Sequence, residues 1–236
     1  STDAWSTAEL SQARANLAAV SAGGKALFAG GGASLPFASD RVDLFDASTG
    51  QWSTSSLSQP RIAIAATSVG DLALFGGGYN GQGQGLSSVD IYDAAKNLWT
   101  QSSFSVPRVA GAATTVGDRA LFAGGSVDLS YTTTDVVDIY DAPTGQWTSA
   151  HLSQARALLT AATAGGKAFF AGGYDGQGTD YSDVVDIYDA STNQWSVAHL
   201  SQPRAQLVAA AAGSKVFFAG GMYDASFPGY SSAVVD

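Results

Sequence analysis

Residues 152–173 read LSQARALLTAATAGGKAFFAGG, and residues 10–31 read LSQARANLAAVSAGGKALFAGG. Seventeen of the 22 positions are identical across an offset of 142 residues. Tryptophan carries the same ruler along the chain, at Trp5, Trp52, Trp99, Trp147 and Trp195, with spacings of 47, 47, 48 and 48. Arginine repeats it at Arg14, Arg61, Arg108, Arg156 and Arg204. A period of this length belongs to propellers and solenoids, whose units cannot bury an apolar face alone and stack to do so.

Each unit reads as four short strands. The first follows the Arg, is rich in Ala, and ends in a two-residue turn such as Gly23-Gly24, Gly70-Asp71 or Gly165-Gly166. Such pairs supply the positive φ that tight hairpins require. The second strand is KALFAGG or a close variant, the third is VDLFDA or VDIYDA, and the fourth carries the Trp. No stretch sustains a helical period.

The Gly-Gly after the second strand, the aromatic in the third and a Trp seven residues later (Phe45/Trp52, Tyr92/Trp99, Tyr140/Trp147, Tyr188/Trp195) resemble the kelch family. The likeness covers the whole chain. It implies an all-β fold, a β-propeller of four-stranded antiparallel blades around an axis. Kelch propellers more often have six or seven blades, whereas this chain holds five units. The expectation is one domain, residues 1–236, forming a five-bladed ring. STDAW at the start would supply the fourth strand that SSAVVD at the end lacks, an outer-strand clasp that removes exposed sheet edges. A segment of a longer array fits the same repeats. The near-identity of the units fits recent amplification or deliberate construction equally.

Composition narrows function. Forty-five per cent of residues are hydrophobic and 13% charged, enough for a sizeable core. No run of 18 apolar residues offers a membrane-spanning helix, and no basic-then-apolar leader is present. The net charge of −9 without a basic stripe argues against nucleic acid and anionic membranes. The compartment stays open. With no Cys, disulfides, thiolate metal sites and thiol nucleophiles are excluded. Some kelch relatives are copper-radical oxidases that use a Cys-linked Tyr, so that chemistry does not carry over. His151 and His199 sit where other units place Glu9, Ser56 and Ser103, which reads as a solvated loop edge. No metal or cofactor is expected. The weak calcium reading of Asp175, Asp180 and Asp183 lacks the spacing of a 12-residue calcium loop and its final Glu.

Two sets of positions are candidates for function. The first is a ring of Arg14, Arg61, Arg108, Arg156 and Arg204 with third-strand Asp43, Asp90, Asp138, Asp186 and Asp236. Two strand spacings, about 9.6 Å, are bridgeable by Arg and Asp reaching towards each other. The ring reads first as a repeated ion pair or backbone clamp between blades, and second as an anion site at the channel mouth. The second set lies where copying stops, in the connections between second and third strands: GASLPFASDR, GYNGQGQGLSS, SVDLSYTTTD, YDGQGTDYSD and MYDASFPGYSS. By strand direction they share a face with the LSQAR segments. They carry Phe37, Tyr79, Tyr131, Tyr174, Tyr181, Tyr223, Phe227 and Tyr230, while Asn16 and Gln206 point to the channel mouth. Variable loops on a rigid scaffold are where binding is acquired. The expectation is a monomeric, non-catalytic module recognising a protein segment or glycan on this face. The alternatives are a hydrolase or isomerase using Asp and Arg at the channel mouth, and a scaffold without a ligand.

Overall fold

The computed structural model describes residues 5–34, 37–81, 85–128, 130, 132–176, 181–224 and 230–236. The described residues are all-β. Four units each form a four-stranded antiparallel sheet with strands in sequence order. Unit one uses Ala18–Ala22, Lys25–Ala29, Arg41–Asp46 and Gln51–Ser56. Unit two uses Ala65–Val69, Leu72–Gly76, Leu86–Asp93 and Leu98–Arg108. Unit three uses Ala112–Val116, Arg119–Ala123, Val136–Asp141 and Gln146–His151. Unit four uses Thr160–Ala164, Lys167–Ala171, Val184–Asp189 and Gln194–His199. Unit five has Val208–Ala212 and Lys215–Ala219, with the chain at Val235 and Asp236 laid alongside as a short third strand.

First strands of successive units neighbour one another from unit one to unit five. Their Ala-rich sequence follows from this crowding, and where Thr replaces Ala the hydroxyls meet in pairs, Thr67 with Thr115 and Thr114 with Thr163, each 2.9 Å apart. Further out, the sheets diverge and aromatics fill the space. Tyr92 and Trp99 pack tilted at 5.0 Å between centroids, with Phe75 6.1 Å from the same Trp; units three and four repeat the arrangement.

The core is a series of inter-unit layers. One unit contributes Leu27, Val42 and Leu44, and the next contributes Ala73, Phe75 and Tyr92. The same pairing joins Leu74, Val89 and Ile91 to Phe122 and Tyr140, and Leu121, Val137 and Ile139 to Phe170 and Tyr188. Full burial of a Leu or Phe side chain contributes about 1.5–3 kcal/mol, so the stacking of units, more than any one sheet, holds the molecule together.

The Gly-Gly pair locks each junction. Gly124 has φ +61°, and a Cβ there would stand 2.5 Å from the Arg156 carbonyl of the next unit. Gly125 N–H donates to that same carbonyl at 2.8 Å, as Gly31 does to Arg61, Gly78 to Arg108 and Gly173 to Arg204. The second Gly is thus a hydrogen-bond donor across the junction, and the first makes room for the approach.

The expected closed ring with its N-terminal clasp is not what the described residues show. Residues 5–10 lie outside any strand, and Trp5 is 100% exposed. The first strand of unit five has no contact with that of unit one comparable to those within the series. Four repetitions of one junction geometry do not turn the fifth unit back onto the first, so the units form an open arc. Complementary end sequences were sufficient for closure in one dimension; the angle between packed sheets is a three-dimensional quantity they do not encode.

Candidate functional site

The strictly copied Arg residues are buried and paired. Side chains of Arg14, Arg61, Arg108, Arg156 and Arg204 are at most 1% exposed, and each pairs through Nη2 with Asp43, Asp90, Asp138, Asp186 or Asp236. The pair lies within one unit, joining the approach to the first strand to the third strand, rather than between blades as expected. The guanidinium also donates to main-chain oxygens: Arg108 Nη1 reaches Phe122 O at 3.0 Å, Gly124 O at 3.2 Å and Val136 O at 3.1 Å. The partner carboxylate accepts from the preceding LSQ-type segment, as Asp138 does from Ser105 N–H at 3.1 Å. Burial pulls Arg108 down to about 10, against the opposing influence of Asp138, and lowers Arg61 and Arg156 for the same reason. No guanidinium of the ring faces solvent, so the anion-site alternative has no accessible group to work with.

One detail follows the sequence. Arg14 and Arg156 Nε donate to Gln12 O and Gln154 O at 3.4 Å, with Ala between. In Arg61, Arg108 and Arg204, which follow Pro60, Pro107 and Pro203, Nε has no partner among the described residues.

Two residues beyond each Arg the backbone turns left-handed at Asn16, Ala63, Ala110, Leu158 and Gln206, with φ between 52° and 56°. L residues adopt this region at a cost of about 1–2 kcal/mol. Main-chain bonds hold it: Ala63 N–H to Asn16 O at 3.3 Å, Leu158 to Ala110 at 3.1 Å, and Gln206 to Leu158 at 3.0 Å. Asn16 and Gln206 are exposed, on the two end units.

The variable connections do share a face with the Arg-preceding segments. Ser39 Oγ donates to Gln12 Oε1, and Ser182 Oγ to Gln154 Oε1, both at 2.8 Å. The aromatics on this face divide. Phe37 and Tyr230 are exposed, at 70% and 58%, and Tyr223 stacks on Tyr230 at 6.0 Å. Tyr79 is instead buried, its backbone bridging Ile62 and Gly85, which removes it as a contact residue. Tyr174 and Tyr181 are half-buried and meet edge to face at 6.4 Å, across a bridge that closes their own loop. Tyr131 and Phe227 lie outside the described residues.

Between the loops of units three and four lies a cleft of about 490 Å³ lined by Ser130, Thr132, Thr133, Gln154, Ala155, Asp175 and Gly176. Thr133 Oγ1 donates to Asp175 O at 2.8 Å, and Asp128 organises the loop by accepting from Ser130 and Thr132 N–H and from the Thr132 hydroxyl. Those bonds, the main-chain one to Thr132 first, hold the Asp128 carboxyl below its ordinary range. The sequence reading passed over this cleft because it weighed aromatics above hydroxyls; the SYTTTD run beside a shared SQ was the available signal.

Elsewhere on the described surface the histidines are exposed as expected, but each ends the fourth strand of its unit instead of lying in a loop, with His151 Nδ1 3.2 Å from Asp135 and His199 Nδ1 3.2 Å from Asp183. Asp180 of the calcium reading lies outside the described residues, and among those described no group of three or more His, Cys, Asp or Glu is placed to hold a metal. The opposite face is less uniform than its turns suggest. A hollow of about 360 Å³ there holds Lys25, Asp46, Tyr92 and Asn97, with Lys25 raised chiefly by its bond to Asp46. Arg119, Asp141, Tyr188 and Asn193 line a smaller counterpart between units three and four.

Known proteins place this architecture. The solved structure of YjhT superposes with a TM-score of 0.70 at 17% identity, over 94% of this chain and 80% of that one, a likeness of fold. No curated protein sequence matches the chain. The KLHDC2/KLHL20/DRC7 Kelch-repeats domain matches residues 16–221. With that match spanning most of its length, and with the buried Arg–Asp pair and tilted Tyr–Trp pair recurring from unit to unit, the chain belongs to the kelch-repeat family.

Proposed function

We propose that residues 1–236 form one kelch domain that binds a protein segment on its variable loop face without catalysing a reaction. The observation that carries this is the cleft between units three and four. It is open, lined by hydroxyl, amide and main-chain groups, and built from loops that differ between units while the scaffold repeats. Ser and Thr hydroxyls beside a Gln amide suit the donors and acceptors of an extended peptide. A non-catalytic reading is favoured by the condition of the recurrent acids and bases. The Asp and Arg residues that an enzyme at the channel mouth would use are buried in mutual pairs.

The test is a peptide-library screen run beside a glycan array, followed by substitution. Thr133→Arg, which fills the cleft, together with Phe37→Ala and Tyr230→Ala, should weaken the selected peptide at least tenfold in one of the three variants. Thr49→Ala and Thr144→Ala, in turns of the opposite face, should leave it within twofold. Binding lost only in the opposite-face variants overturns the assignment. Capture by glycans with no peptide selected overturns the protein partner.

A further inference from the structure

The face opposite the variable loops carries the same junction hollow twice, and one residue makes the two differ. Between units one and two it is lined by Lys25, Leu44, Asp46, Ser53, Tyr92 and Asn97. Between units three and four the same positions hold Arg119, Ile139, Asp141, Thr148, Tyr188 and Asn193. One wall is alike in both: Tyr92 donates its hydroxyl to Asn97 Oδ1 at 2.8 Å, and Tyr188 donates to Asn193 Oδ1 at 2.7 Å. Each Asn holds a left-handed turn position, at φ 52° and 58°, where units one and three have Gly50 and Gly145.

The other wall differs. Arg119 reaches across the junction, donating from Nη1 to the Tyr188 hydroxyl oxygen and to Asn193 Oδ1 at 3.2 Å, while its Nε stays 3.8 Å from Asp141. The guanidinium divides the space, leaving about 190 Å³ on the Tyr188 side and a separate recess of about 410 Å³ beside Asp118 and Pro143. Lys25 instead pairs with Asp46 of its own unit, and the hollow runs undivided from Thr49 to Asn97 at about 360 Å³. The oxygens of Tyr92 and Asn97, whose counterparts accept from a guanidinium, here line open space.

We infer that this hollow binds a neutral sugar, a single pyranose ring presented free or at the end of a glycan, whose hydroxyls bridge Lys25 and Asp46 on one wall to Tyr92 and Asn97 on the other. The occupant has to donate to the Tyr92 and Asn97 oxygens, as Arg119 does in the counterpart, and accept from the remaining Lys25 N–H groups. A hydroxyl does both. Neutrality follows from the charges already present. The bond between Lys25 and Asp46 raises the one and lowers the other, so both stay ionised and cancel, and burial raises Tyr92, so the phenol keeps its proton. Leu44 and Ala94 offer apolar surface to the C–H groups of the ring. The volume falls in the range of small-molecule sites, about 300–1,000 Å³. This site lies on the face opposite the loop cleft, so it and the peptide reading can each fail alone.

The test titrates the full chain with methyl α-glucoside, methyl α-galactoside and methyl α-mannoside, beside glucuronate and alanine as anionic and zwitterionic probes, read by calorimetry and saturation-transfer NMR. At least one glycoside should bind once per chain with a dissociation constant of about 1 mM, within reach of a ligand of about a dozen non-hydrogen atoms. Two substitutions borrowed from other units keep the fold. Lys25→Arg sends a guanidinium across the hollow and should weaken the glycoside at least tenfold. Asn97→Gly removes the amide at a turn that takes Gly elsewhere and should weaken it at least fivefold. Thr133→Arg, in the loop cleft, should leave it within twofold. Absence of binding by every glycoside at about 50 mM overturns the inference. So does tighter binding of glucuronate or alanine, and so does glycoside binding that Lys25→Arg and Asn97→Gly both leave within twofold.

Discussion

Replacing Arg108 with Ala tests whether the copied arginines hold the fold. The side chain is 1% exposed, pairs with Asp138, donates from Nη1 to three main-chain oxygens and lies 4.6 Å over the Phe104 ring. Asp138 is 4% exposed in its side chain, and after the change it would keep the Ser105 N–H but lose its counter-charge. Breaking a buried pair from one side costs about 3–5 kcal/mol, because the remaining charge is left uncompensated. The three carbonyls also lose their donor, while the vacated volume admits water and recovers part of the loss. The expected destabilisation is about 4 kcal/mol, a large share of the roughly 5–15 kcal/mol typical of a folded domain. Equilibrium urea titration measures it, provided the slope with denaturant is unchanged. Asp138→Ala should cost a similar amount. The double variant should cost less than the sum by more than about 1.5 kcal/mol, since the second change removes the stranded charge. A loss below about 1 kcal/mol for Arg108→Ala at constant slope, or strict additivity in the double variant, would refute the clamp.

Gly124→Ala places a methyl against the Arg156 carbonyl at φ +61° and should cost about 3 kcal/mol or more, whereas Gly220→Ala, with the same φ sign but open space, should cost about 1 kcal/mol; thermal melts of the two variants compare them directly. Ala63→Val sets a β-branched residue at φ 52° and should destabilise by about 1–2 kcal/mol in the same assay, while Ala63→Asn should be neutral or better because Asn tolerates that region. Hydrogen bonding holds Asp46, Asp93 and Asp189 below their ordinary value of 3.8, chiefly through Lys25, Lys96 and Lys167, and Asp141 chiefly through Thr144. A lowered folded-state value gives stability that is complete above the unfolded value and lost as pH falls below it. The melting temperature should therefore be flat above about pH 5 and decline below about pH 4, and a profile that rises on acidification contradicts these bonds.

The sequence alone determined whatever depends on the repeat. Tight turns at the Gly pairs, a third-strand aromatic across from Trp, Ala where strands crowd and Arg matched to Asp are local or short-range constraints, and each is written once per unit. Their period identified the family and their spacing predicted the strand order that the sheets show. What the tertiary structure decided was everything summed over units or settled between neighbouring loops. Whether Arg reaches solvent depends on how its own unit folds around it, and it is buried even in the two end units. Whether a loop aromatic is offered to a partner depends on how its ring packs: Tyr79 is buried, while Phe37 and Tyr230 remain exposed. The cleft at Thr133 exists only because two loops distant in sequence meet at their sides. The arc stays open for the same kind of reason, because small rotations between packed sheets accumulate across the molecule and no single unit carries their total.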